Sequence, residues 1–143
     1  MATQVQDFSE TNGAAAGSVL RLLRLEGLLV AVASAVVYAR TGASWWMFAA
    51  LWIAPDLSML GYLKRPCLGA RWYNAAHTYV LPGIMALCAV LLHARGLLPF
   101  ALIWVNHIGV DRLLGYGLKY SDGFGFTHLG RLGKREATLG TRS

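Results

Sequence analysis

Within the otherwise apolar stretch WVNHIGVDRLLGYGLKY, Trp104 to Tyr120, His107 and Asp111 stand four residues apart. On a helix that spacing puts both side chains on one face. Asn74 and His77, three apart in YNAAHTYVLP, share a face in the same way. Glu26 and Asp56 are the other acidic residues set in apolar sequence, whereas Asp7, Glu10, Asp122 and Glu136 lie in polar flanks. A charged group within lipid costs about 2.5–3.5 kcal/mol on insertion scales, so such groups face a protein interior and have partners.

Three carboxylates and two imidazoles support three kinds of chemistry. Asp56, His77, His107 and Asp111 could ligate a divalent metal, since helical bundles place carboxylate and imidazole ligands on facing helices. Mixed nitrogen and oxygen ligation suits zinc, iron or manganese. Without a metal, Glu26, Asp56, His77, His107 and Asp111 could act as acids and bases on a lipophilic or anionic amphiphilic substrate, with Asn74, Arg112 and Lys119 binding it. In a structural cluster, the carboxylates would instead pair with Arg24, Arg112 or the histidines and hold helices in register. No HExxH pattern is present to decide among them.

The elements that position these residues follow from composition. The chain of 143 residues is 56% hydrophobic and 14% charged, against about 25% charged in a soluble domain. A spanning helix needs about twenty mostly apolar residues. Four segments qualify, from about Ser18 to Ala39, Ser44 to Leu63, Arg71 to Leu92, and Leu97 to about Gly117. The breaks are RTGA, KRPCLGA and HARG, and loops this short predict antiparallel neighbours in an all-α, up-down bundle of four transmembrane helices. Pro55 and Pro82 fall inside spans, where proline kinks a helix and frees a carbonyl. At 1.5 Å of rise per residue, Glu26, Asp56, His77 and Asp111 lie roughly 8–10 Å inside one edge and His107 roughly 15 Å. Each helix is thus expected to deliver an ionisable group to one layer.

Lysine and arginine set the orientation. Eleven of them fall on one side and two, Arg40 and Arg95, on the other, which predicts an inner-membrane protein with both termini cytoplasmic. Trp45 and Trp46 then mark the outer interface, and Trp72, Tyr73, Tyr116 and Tyr120 the inner one. The net charge of +6 flanks apolar runs instead of forming a basic face, so nucleic acid is not an expected partner and the lipid bilayer is. Residues 1–17 are polar, lack a basic signal-peptide start and are expected to be disordered. Residues 121–143 form a cytoplasmic tail of glycines, aromatics and cations that could lie on headgroups or act as a lid. His93 reads as interfacial, and His128 reaches the polar layer only if that tail folds back. Cys67 and Cys88 lie at different depths and predict no disulfide.

The words PDLSMLGY, YNAAHTYVLP and WVNHIGVDRLLGYGLKY…THLG resemble the domain-of-unknown-function 4260 family of small bacterial integral membrane proteins. The resemblance runs from about Leu20 to Gly130 and implies a compact membrane protein without implying an activity. Its motifs contain Asp56, Gly61, Tyr62, Asn74, His77, His107, Asp111, Arg112 and His128. The expected function is a small membrane enzyme with an Asp/Glu/His site near the cytoplasmic face. The alternative is a membrane scaffold, or a transporter or channel subunit, for which so short a chain would need to form a homo-oligomer.

Overall fold

The computed structural model describes Ala15 and residues 17–119 and 126–131. The expected disordered N-terminal tail, Tyr120 and most of the C-terminal tail lie outside the described residues. Four helical segments are long and apolar enough to cross a membrane: Gly17–Thr41, Trp45–Leu63, Pro66–Leu91 and Arg95–Leu114. Large apolar side chains such as Leu22, Leu29, Val36, Leu57, Leu87 and Val90 are exposed along them. That surface suits hydrocarbon and not water, and marks a multi-pass membrane protein.

Two of the four spans are broken. The first span is the continuous helix α1 (Gly17–Thr41). The second begins as α2 (Trp45–Leu51), started by the Ser44 side chain accepting from the Trp46 amide. It turns at Trp52 and Ile53 into a 3-10 helix over Ala54–Leu63. Pro55 lacks the amide that would continue an α-helix, and a 3-10 run of ten residues is far longer than the usual three or four. The third span is α3 (Pro66–Ala76) followed by α4 (Val80–Leu91). Pro66 opens α3, where a missing amide costs nothing. The third span therefore starts five residues before the expected Arg71, and most of KRPCLGA is helix and not loop. Pro82 sits in the first turn of α4, and the chain is non-helical at His77 (φ −109°, ψ 18°). A one-turn 3-10 segment, Arg95–Leu97, leads into α5 (Leu98–Leu114), which ends at Gly115 in the left-handed region (φ 95°). The chain then returns as two antiparallel two-residue strands, β1 (Phe126–Thr127) and β2 (Gly130–Arg131).

The seam of α1 and α5 is the most extensive helix contact. Gly27 and Gly109 make it possible. A methyl added at Gly109 would lie 2.8 Å from the Ala31 nitrogen and 2.9 Å from the Gly27 carbonyl oxygen. Small residues at such a seam let backbones touch, which is how helices associate where lipid supplies no hydrophobic drive. Asn106 ties the same seam together. Its amide donates to the Ala31 carbonyl at 2.7 Å and to Ser34 Oγ at 3.2 Å, and its oxygen accepts from Trp52 Nε1 at 2.9 Å. α5 thus contacts α1 on one side and α4 on another, while the 3-10 helix packs on α3.

Candidate functional site

Each broken span supplies residues where its helix is interrupted. Asp56 is the third residue of the 3-10 helix, and His77 is the residue at which α3 stops. The unbroken α5 adds His107 and Asp111 from one face. One nitrogen or oxygen from each of Asp56, His77, His107 and Asp111 lies within 4.8 Å of every other. The two imidazole Nε2 atoms are 3.2 Å apart. Asp56 Oδ1 is 3.4 Å from His77 Nε2 and 3.6 Å from His107 Nε2. Asp111 Oδ2 is 3.5 Å and 3.9 Å from the same atoms.

The imidazoles are almost wholly buried, with 3% and 1% of the side chain exposed, Asp111 is at 16%, and Asp56 at 44% forms the open side. His77 Nδ1 lies 2.9 Å from the Tyr73 carbonyl, a contact that requires the ring proton on Nδ1. The Nε2 lone pair of neutral His77 therefore points at two carboxylate oxygens and the other imidazole. Electron-rich atoms around one point are held together by a proton or a metal ion between them. A proton on one Nε2 can serve one neighbour well, whereas a metal ion serves all four. Tetrahedral coordination with bonds of about 2.0–2.1 Å has ligand-to-ligand edges of about 3.3–3.4 Å, close to most of the observed spacings. The carbonyl that fixes the His77 tautomer is the supporting partner that metal-ligating histidines regularly have. His107 Nδ1 is buried with no hydrogen-bond partner among the described residues, and its ring meets Trp52 edge to face at 4.8 Å.

The break at His77 is held open by a full set of donors. The Tyr73 carbonyl accepts from the His77 amide at 2.8 Å as well as from its ring. The Ala76 carbonyl accepts from Trp104 Nε1 at 2.6 Å, and the His77 carbonyl from Arg112 Nη2 at 3.2 Å. Carbonyls freed inside lipid must find donors, and these come from α5. Tyr73 completes the surroundings: its ring stacks on His77 with centroids 3.7 Å apart, and its hydroxyl donates to Asp111 Oδ2 at 3.2 Å.

The segment after α5 folds over the site. Asn74 holds the Lys119 backbone by both groups, donating to its carbonyl at 2.8 Å and accepting from its amide at 2.7 Å. The Leu118 amide donates to His128 Nδ1 at 2.8 Å, and the Arg112 guanidinium lies against the same ring, 2.8 Å from Nε2. Lys119 is buried, with its ammonium 4.4 Å from the centre of the Tyr73 ring. Burial pushes that ammonium down to about 8 from 10.5, against the pull of the Asp111 and Asp56 charges.

Four of the five residues singled out for catalysis therefore meet, and Glu26 does not. Gly27 faces α5 so closely that a methyl there would lie 2.7 Å from Arg112 Cβ, which turns the neighbouring Glu26 away. Glu26 is exposed and lines a separate cavity of about 270 Å³ with Tyr79, Arg112 and His128. α1 thus brings small residues and no ionisable group to the layer. The Asn74 side chain holds the Lys119 backbone and is not part of the cluster. Arg112 braces the helix break. Tyr73, expected at the membrane interface, is 3% exposed and lies beside the cluster. His93, by contrast, is exposed as expected, and both cysteines are free. The supporting residues Trp52, Tyr73, Trp104 and Asn106 were not singled out for the site. Asn106, next to His107 in an apolar run, was the one readable signal.

No curated protein and no solved structure matches the chain. A family model described as a domain of unknown function (DUF4260) matches residues 20–132, the stretch that carries all four cluster residues and their supports, and the chain belongs to that family.

Proposed function

We propose that the protein is a metal-dependent membrane enzyme that holds one divalent ion, zinc, iron or manganese, among Asp56, His77, His107 and Asp111 and acts on a lipophilic substrate. The observation that carries this reading is the His77 lone pair, fixed by the Tyr73 carbonyl, aimed at two carboxylate oxygens and a second imidazole within 4 Å. Two carboxylates and two neutral imidazoles balance a divalent charge, so the loaded site is neutral in surroundings where net charge is expensive. A metal there supplies a Lewis acid that activates water or polarises a carbonyl. Asp56, the most exposed ligand, stands where substrate enters, and Asp111 is steadied by the Tyr73 hydroxyl. Lys119, held above Tyr73, is placed to meet an anionic group on the substrate or one that becomes anionic during reaction.

The same proposal gives the chain four alternating spans in the cell inner membrane with both termini cytoplasmic, on the strength of the eleven-to-two bias in lysine and arginine. The site then lies in the cytoplasmic half. The test is elemental analysis of protein purified in detergent beside the variant carrying both His107→Leu and Asp111→Asn. One equivalent of a transition metal in the parent and none in a variant of similar melting temperature supports the metal site on which the enzyme reading rests. No metal in either, with a large drop in melting temperature, supports a structural cluster, because a buried charge then loses its partner.

A further inference from the structure

An apolar cavity of about 400 Å³ has Pro55, Ser58, Ala76, Met85, Ile103 and Trp104 in its wall. Pro55 and Ala76 are the chain neighbours of Asp56 and His77, and Ile103 stands one helical turn before His107 on α5. No charged side chain lines it. Trp104 Nε1 is occupied by the Ala76 carbonyl. Ser58 Oγ is different: it is buried and has no hydrogen-bond partner among the described residues. A buried hydroxyl left unpaired is costly, and in a wall otherwise apolar the group that satisfies it comes from a ligand.

We infer that this cavity holds a single hydrocarbon chain of an uncharged amphiphile, and that the Ser58 hydroxyl donates a hydrogen bond to an acceptor oxygen, such as an ester carbonyl, in its head. The inference rests on the metal-enzyme reading for the chemistry after binding, and names the class of substrate that would reach that centre. At about 30 Å³ for each group of water size, the cavity takes about a dozen methylene-sized groups, one chain and not the two of a bilayer phospholipid. The lack of a lining charge disfavours a charged head. Ser58 stands one 3-10 turn beyond Pro55, so an oxygen bound to it sits on the helix face that Pro55 gives to the same cavity wall.

Trp104 in the wall supplies the readout. The holoprotein in detergent is titrated with a monoacylglycerol whose chain carries two bromine atoms, which quench indole fluorescence on contact. Saturable quenching is expected, and it should disappear in Trp104→Phe, although the other tryptophans remain. Ala54 also lines the cavity, and Met85→Phe and Ala54→Phe, which fill it, should weaken the quenching. Ser58→Ala should weaken the ester by about tenfold and leave a brominated alkane of equal length unchanged. Equal effects of Ser58→Ala on ester and alkane would overturn the hydrogen bond, and tighter binding of the brominated fatty-acid anion would overturn the uncharged head. Unsaturable quenching that survives both filling variants would overturn the cavity. The titration is repeated on the His107→Leu, Asp111→Asn variant. Chain binding retained there alongside an absent metal in the parent would sink the enzyme and spare the cavity, whereas metal in the parent without chain binding would do the reverse.

Discussion

The seam of α1 and α5 and the pair of broken spans solve opposite problems with the same backbone. Along the seam both helices are continuous, and glycine lets the two backbones touch at Gly27 and Gly109. In the second and third spans the helix fails near Trp52 and at His77, and in the third the Ala76 and His77 carbonyls take donors from α5. The first arrangement gives rigidity and brings no residue of α1 into the Asp/His cluster. The second places Asp56 and His77 on irregular backbone, where side chains can converge that a regular helix would spread along its length. α5 belongs to both, since one face grips α1 while another presents His107 and Asp111. The rigid seam is what lets the broken region stay broken: irregular backbone at membrane depth persists only where protein surrounds it.

The strongest way to break this contrast is at the seam. Gly109→Val puts side-chain carbon against the backbone of α1, which cannot give way as a flexible side chain does. Overpacking ordinarily costs about 1–3 kcal/mol, and backbone contact should exceed that range. The expected outcome is loss of monodisperse protein on size-exclusion in detergent, and a variant that runs and melts like the parent would contradict the seam.

At the break, Trp104→Phe removes the donor to the Ala76 carbonyl and leaves that oxygen buried and unpaired. A loss of about 1–3 kcal/mol is expected, read as a lower melting temperature together with reduced metal occupancy. Reduced stability with full occupancy would separate the break from the site. A smaller effect is expected over the site. Asn74→Ala frees the backbone of Lys119, and hydrogen exchange should speed at residues 116–119 while the α1 amides stay protected. Uniform exchange throughout would deny that the folded-back segment opens by itself.

The smallest effect is in pH. Burial makes the Lys119 ammonium easier to deprotonate in the folded protein, at about 8, than in the unfolded chain, at 10.5. The unfolded state then binds more protons between those values, so this group makes stability rise with pH through that window; below about 8 the penalty is present in full. The melting temperature of the parent minus that of Lys119→Met should increase from pH 8 to 10. A flat difference would mean the ammonium is well solvated.

Much of this was legible in the sequence, and the reasons differ by residue. The spans follow from apolar length, and His107 and Asp111 share a face because α5 is regular between them. Asp56 and His77 were placed by depth alone, which does not depend on the direction of a helix face, although the 3-10 rise of about 2.0 Å per residue makes the α-helical figure for Asp56 an underestimate. The role of Asn74 was not legible, since spacing does not say that its amide meets the backbone of Lys119. Glu26 misled for a related reason: depth says nothing of rotation about the axis, and rotation in α1 is set by which small residues meet α5. Pro55 and Pro82 pointed to the breaks without saying which carbonyls would be freed or that Trp104 and Arg112 would meet them.

The central claim is that one metal ion sits between Asp56, His77, His107 and Asp111. X-ray absorption at the edge of the metal that copurifies with the protein tests it most directly. The account predicts two imidazole ligands with oxygen completing the shell at about 2.0–2.2 Å, and loss of one imidazole's scattering in His77→Ala. A shell without imidazole, or one unchanged by that substitution, would contradict it.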